Sequence, residues 1–401
     1  MLNAGSVVCL HCGRVIKDLY YCNSELDERV WVRLKRTVTG RYFVERYIPD
    51  NNNNKIKVTN VKLTNKKKDF KKGLNETIYV DLMYNGEQKN SMVFKRSCPF
   101  CLDNKSVNTI FEGLGELPTY VIAVIGTTSV GKSRWLGSLC YVDNQIALNL
   151  NNDYYKIKPS EVEATTALNE KTGVNSKGKT TLIKILERRN NNEGNEPIAN
   201  VLVLDVAGEM FKEGNQEMFE NSQAYTLFSG TEDFTGVDAV VFMDAADCNE
   251  KDLIVAYNCV NELGLLNNKP VAYVLNKMDL LFENPPKIKL DDSCDYFAPI
   301  LSSSTFKKAG VSYSQKDIVP RIKLETLIAS QYRSLSKLIF SNNPRSAGFV
   351  ITAGRPVTDP LKKGISQTGE LTALEHDYTE SINVIDPLIW TLNELGILPI
   401  N

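Results

Sequence analysis

Histidine is scarce: His11 and His376 are the two in 401 residues. A Ser/His/Asp triad has almost nothing to be built from, and covalent catalysis of that kind is not expected. Long apolar runs are missing too. No stretch approaches the roughly 20 residues that a helical membrane span needs, and the first twenty residues lack a basic start followed by an apolar block. No membrane span and a cytoplasmic location are expected. The composition, 42% apolar and 24% charged, excludes a collagen and a long disordered tail, and the length accommodates about two or three domains.

Net charge is nearly absent, at -1, but its distribution is uneven. Residues 1–110 carry 20 Lys/Arg against 11 Asp/Glu, and the remainder carries 27 against 37. Two modules of opposite sign are implied. A basic module can attract nucleic acid, anionic lipid or the acidic face of its own neighbour, and charge alone does not choose among them.

The nine cysteines are unevenly spaced. Cys9-Leu-His-Cys12 and Cys98-Pro-Phe-Cys101 are two C-x-x-C knuckles, each of which places two thiolates on one side of a tight turn. A pair of knuckles can close a tetrahedral zinc site with Cys9, Cys12, Cys98 and Cys101 as ligands. His11 lies inside the first knuckle as a neighbour rather than a ligand. The separation exceeds the ~15 to 20 residues of an ordinary zinc ribbon, so something is inserted. Residues 29–48 alternate apolar and charged side chains about Gly40, as a half-buried hairpin does. Residues 76–84 and 91–96 form a second hairpin pattern turning at Asn85-Gly86. Between them, Pro49 to Gly73 is polar and lysine-rich and is expected to be a mobile loop.

From residue 118 the pattern changes. Tyr120 to Ile125 is a continuous apolar run, as a buried parallel strand requires, and it leads into Gly126-Thr-Thr-Ser129-Val-Gly131-Lys132-Ser133. This is a full Walker A pattern, with Arg134 opening the helical stretch that follows. Glycines let successive backbone N–H groups converge on phosphate oxygens, and the helix N-terminus adds its positive end. Lys132 is the candidate holder of the β and γ phosphates and Ser133 the candidate magnesium ligand. Two further apolar runs end in motifs: Asn200 to Asp205-Val-Ala-Gly208, and Pro270 to Asn276-Lys277-Met-Asp279.

Walker A, Asp-x-Ala-Gly and Asn-Lys-x-Asp, in that order at strand ends, resemble the P-loop GTPases of the Ras-like, translation-factor-related class, over roughly residues 118–401. The resemblance implies an α/β fold, a doubly wound P-loop sheet, preceded here by a β-rich zinc-binding module over residues 1–117 and interrupted by an insertion at about 280–346. It implies GTP or GDP with magnesium as ligands. Asp279 would accept hydrogen bonds from guanine, while Asn276 and the Lys277 stem would brace the base and the phosphate loop. Asp205 would hold magnesium through water, and the Gly208 amide would sense the γ phosphate. Thr352 and Ala353, after the strand at 348–351, would offer the last backbone contact to the base, with Ser302 to Ser304 as the competing loop. The switch I threonine that meets magnesium is expected shortly before the strand at 182–188; Thr181 is chosen, with Thr180 equally near and Thr165, Thr166 and Thr172 in the same polar segment.

The departures from the family bear on catalysis. Glu209 follows Gly208 where many hydrolysing relatives carry a water-orienting glutamine. It could polarise the attacking water as a base or have no catalytic role. Thr128, third in the phosphate loop, would crowd an arginine supplied in trans. Two functions remain. One is a GTP-hydrolysing switch whose switch regions signal to a protein effector or companion GTPase. The other is a nucleotide-binding scaffold with little turnover whose zinc module recruits protein or nucleic acid, including a ribosome-associated role. The pairing of a zinc module with a divergent GTPase domain is also similar to double-GTPase proteins of bacterial conflict and antiviral defence operons.

Overall fold

Alternating side chains build the first of two units into which the computed structural model divides, Met1–Thr119 with Ser229–Gly236 and Tyr120–Phe228 with Val237–Asn401. The structure describes residues 7–9, 14–23, 25–26, 29–36, 42–48, 58–64, 77–100, 114, 117–127, 129–142, 147–150, 153–159, 179–188, 196–206, 216–220, 223–230, 234–277, 312–314, 322–323, 325–326, 329–330, 333–351 and 384–399.

In the first unit, β1 (Val7–Val8) and β2 (Val15–Ile16) pair antiparallel as a separate two-stranded sheet. Six more strands follow: β3 (Leu19–Asn23), β4 (Val30–Arg36), β5 (Tyr42–Tyr47), β6 (Val58–Leu63), β7 (Thr77–Tyr84) and β8 (Glu87–Arg96). They form one sheet in the order β5-β4-β3-β8-β7-β6, every neighbour antiparallel. The edge strands β5 and β6 lie against each other, so the sheet nearly closes on itself. Its inside is the period-two set: Val32 and Leu34 of β4, Ile78, Val80 and Leu82 of β7, and Phe94 of β8 are buried in one cluster. Each such side chain contributes about 1.5–3 kcal/mol by leaving water. On the other face of β4, Arg33 and Lys35 both pair with Glu45 of β5. The second hairpin turns at Asn85 and Gly86, both at positive φ as the two-residue turn demands.

One expectation is corrected here. Val58–Leu63, inside the stretch read as a mobile loop, is strand β6, paired antiparallel with β7. Its register shifts between Thr59 and Lys62, and Asn60 has φ 50°. The irregularity breaks the strict alternation that marks a strand in sequence. The lysines at 66–68 and 71–72 lie outside the described residues.

The second unit holds a nine-stranded sheet: β9 (Thr119–Ile125), β10 (Ala147–Leu150), β11 (Asp153–Pro159), β12 (Lys179–Arg188), β13 (Glu196–Asp205), β14 (Ala239–Ala245), β15 (Val271–Asn276), β16 (Ser312–Ser314) and β17 (Ser346–Val350), in the order β16-β10-β11-β12-β13-β9-β14-β15-β17. The sheet is mixed. β9, β14, β15 and β17 run parallel, whereas β10 through β13 are joined antiparallel. The parallel strands are the continuous apolar runs, and every residue of β14 and β15 is buried.

The described helices are α1 (Lys132–Val142), α2 (Gln216–Glu220), α3 (Gln223–Ser229), α4 (Lys251–Glu262), α5 (Ser334–Asn342) and α6 (Asp386–Glu394). On one face of the parallel strands, Val241, Met243, Val274 and Phe349 share a core cluster with Trp135 and Leu136 of α1 and Leu388 and Ile389 of α6. On the other face, Phe242 meets Tyr257 of α4 edge-on at 5.5 Å and Tyr273 meets Phe340 of α5 at 6.5 Å. Helical residues at 322–323, 325–326 and 329–330 precede α5.

Candidate functional site

The chain leaves β9 at Gly126, where a β-carbon would meet the Met243 carbonyl oxygen at 2.6 Å and Val130 Cγ2 at 2.8 Å. No larger residue fits. Ser129, exposed at φ 70°, and Gly131, at φ 93°, bend the loop back, and Trp135 N–H bonds the Gly131 carbonyl at 2.8 Å as α1 begins. A β-carbon on Gly131 would lie 2.5 Å from Asn276 Nδ2. The loop is thus wrapped tightly between β9, β14 and the end of β15. The Lys132 ammonium lies across it, donating to the carbonyl oxygens of Gly126 at 2.7 Å and Thr127 at 3.2 Å. Arg134 sits in the first turn of α1.

Three sequence motifs meet here. Ser133 Oγ donates to Asp205 Oδ2 at 2.9 Å, joining the start of α1 to the end of β13 across 72 residues of chain. Asn276, at the end of β15 and 2% exposed, donates from Nδ2 to the Val130 carbonyl at 2.9 Å, and its Oδ1 accepts the Lys277 N–H at 2.8 Å. Ser133, Lys132, Asp205, Asn276 and Lys277 therefore belong to one cluster, each at or just beyond the carboxyl end of its strand or in the helix that follows. That is where α/β sheets place ligands. A hydroxyl and a carboxylate oxygen are the hard donors that magnesium takes, so Ser133 and Asp205 fit that ion.

Thr181 is placed differently from the rest. Expected just before the strand, it lies within it: β12 begins at Lys179, which stands opposite Asp205, and Thr181 stands opposite Val203. Gly208, Glu209, Asp279, Thr352, Ala353 and Thr128 lie outside the described residues.

The site has a border that the motifs do not reveal. Asp247, in the turn after β14, receives the Lys277 ammonium on both carboxylate oxygens at 2.9 Å. Partial burial acts to raise the Asp247 carboxyl, and Lys277, together with hydrogen bonds from the Asp247 backbone N–H and from Cys248, more than offsets it, leaving the group below its ordinary value. Asp244, 1% exposed, accepts from Tyr273 Oη at 2.8 Å and lies 3.5 Å from Arg333 Nε. Burial pushes the Asp244 carboxyl up, with Arg333 opposing. Arg333 also donates from one terminal nitrogen to the carbonyls of Ala245, Ala246 and Cys248. The sequence signal for this group was faint: two acidic residues directly after a parallel-strand apolar run.

Of the four knuckle cysteines, Cys9 and Cys98 are described and buried, at 3% and 1% exposure, while Cys12 and Cys101 lie outside the described residues. Cys9 N–H bonds the Arg14 carbonyl at 2.9 Å, and the Arg14 guanidinium stacks 5.3 Å from the Phe100 ring centroid. Phe100 lies two residues after Cys98, so this contact joins the segments that carry Cys9 and Cys98. Among the described residues no group of three or more His, Cys, Asp or Glu side chains forms a metal site.

No protein-family model matches the chain, and no curated protein matches it. Among solved structures, it is similar to an ADP-ribosylation factor-like GTP-binding protein, the small COPII coat GTPase SAR1 of Encephalitozoon cuniculi in complex with GDP. The identity is 15%, over 57% of this chain and 83% of that one, with a TM-score of 0.22. It is also similar to translation elongation factor SelB of Methanococcus maripaludis in complex with the GTP analogue GppNHp, at 11% identity over 54% of this chain and 34% of that one, with a TM-score of 0.20. At such identities the site stands on its own geometry. Among the described residues no helix is long and apolar enough to cross a membrane.

Proposed function

We propose that the second unit is a doubly wound P-loop domain that binds GTP or GDP with magnesium and acts as a nucleotide-dependent switch. The observation that carries this reading is the 2.9 Å contact between Ser133 and Asp205, which sets a hydroxyl and a carboxylate oxygen from two separate motifs side by side at the phosphate loop, the hard donors that magnesium takes. Lys132 is within reach of the loop carbonyls it now touches, and it exchanges them for phosphate oxygens when a nucleotide enters. Loop N–H groups and the α1 N-terminus add donors that stabilise negative charge. Ser133 and Asp205 are the residues that would hold magnesium, which would supply positive charge against the phosphates. Asn276 ties the base-reading segment to the phosphate loop through Val130, and Asp279 selects guanine.

Glu209 is the proposed base for the attacking water, with Gly208 as the hinge that senses the γ phosphate and Thr181 as the switch I contact. Thr352 and Ala353 complete the base pocket. The ordered switch segments then present a surface to a protein effector or a companion GTPase, a cytoplasmic arrangement consistent with a defence role. The knuckles form a structural zinc site in the basic first unit, which contacts a protein or nucleic acid. The Arg14–Phe100 contact supports zinc, because it joins the segments that carry Cys9 and Cys98.

Titration of the chain with GTP, GDP and ATP in the presence of magnesium tests the central claim. Guanine nucleotides bind and ATP does not, and Lys132→Ala abolishes binding; retention of micromolar GTP affinity in that variant would remove the loop from the account. Phosphate release in a single turnover then separates a hydrolysing switch from a scaffold with little turnover.

A further inference from the structure

We propose that Asp247 is a specificity-positioning residue for the base end of this site, holding Lys277 and through it Asn276 in the conformation that seats a purine. The inference rests on the nucleotide reading above and names a residue that none of the three motifs contains.

Lys277 has φ 60°, a left-handed conformation that a long side chain rarely adopts without something to hold it. Its amide is tied to Asn276 Oδ1, and its ammonium is gripped by both oxygens of Asp247. Asn276 is already committed to Val130 in the phosphate loop. The backbone geometry at 276–277 is therefore set from two sides, and Asp247 supplies one of them.

An exposed ion pair would ordinarily contribute little, and these partners are 29% and 44% exposed. What distinguishes this one is that the acid stands on a turn fixed beforehand. Ala246 N–H bonds the Asn276 carbonyl and Cys248 N–H the Ala245 carbonyl, both at 3.0 Å. Arg333 gathers the carbonyls of Ala245, Ala246 and Cys248 onto one nitrogen. Glu250 accepts the N–H groups of Ser334 and Leu335, joining the same turn to the start of α5. A side chain mounted so firmly loses little freedom in holding its partner, so more of the interaction is retained.

The test uses the full chain, with magnesium, in displacement of a fluorescent GDP by unlabelled GDP and by inorganic triphosphate. Asp247→Asn weakens GDP about three- to five-fold and leaves inorganic triphosphate unchanged, because the defect lies at the base. Asp247→Glu restores GDP affinity. In a Lys277→Ala background the Asp247→Asn change has no further effect, since its partner is gone. Unchanged GDP affinity in Asp247→Asn, equal losses for GDP and triphosphate, or additive losses in the double variant would each overturn the proposal, circular dichroism having established that the variants fold. Failure of the unaltered chain to bind any guanine nucleotide would be a different result: it would overturn the nucleotide reading itself, and this inference with it.

Discussion

Gly131 illustrates how narrowly one position can be set. Its φ of 93° and the 2.5 Å between a notional β-carbon and Asn276 Nδ2 leave room for a hydrogen atom only. Gly131→Ala is expected to strain the loop, at a cost of about 1–3 kcal/mol, and to push Asn276 off Val130; urea unfolding would register the first effect and a fall in GDP affinity the second. Stability unchanged from the parent chain would contradict this account. At the base, Asp279→Asn replaces an acceptor with a donor, so preference should move from guanine to xanthine nucleotides, measured by competition between GDP and XDP. Lys132 and Ser133 were legible in the sequence because the pattern that marks them is contiguous. Asp247 was not, because its meaning comes from Lys277, 30 residues away and met only in space.

At the carboxyl end of β14 a buried carboxylate, a phenol and a guanidinium meet. Asp244 is buried beneath Tyr273 and beside Arg333, and burial raises its pKa above the ordinary 3.8. For an acid raised on folding, the native state holds the proton more tightly than the unfolded chain. Stability must then fall as pH climbs from 3.8 through the native value, and the penalty is complete above it. Asp244→Asn keeps an acceptor for Tyr273 and removes that slope. Thermal midpoints followed by circular dichroism between acid and neutral pH should therefore converge toward low pH for the two proteins; parallel curves would show that the carboxyl carries no such linkage. The strands β9, β13 and β15 were legible as apolar runs. β6 was hidden by its bulge, and β10, β11 and β16 carry no continuous apolar run.

Across the whole molecule, the uneven charge reflects two units with different means of cohesion. The second buries a large mixed sheet under helices on both faces. The first curls a six-stranded sheet, nearly closed, around a smaller core. A structural zinc is the added constraint expected in such a module. Elemental analysis should find about one zinc per chain, lost together with cooperative melting of the first unit when Cys9 and Cys98 are both changed to Ser. A folded, metal-free parent chain would remove the zinc assignment.

What the sequence determined by itself is the set of local signals: the apolar runs that must be buried, the glycine-rich turn that only small residues permit, and the order of the motifs. These follow from side-chain period and backbone sterics, which act over a few residues. Tertiary structure alone decided which distant groups meet. The approach of Ser133 to Asp205, the grip of Asp247 on Lys277 and the anchoring of the β14 turn by Arg333 depend on how strands are ordered in the sheet, and no short stretch of chain encodes that order.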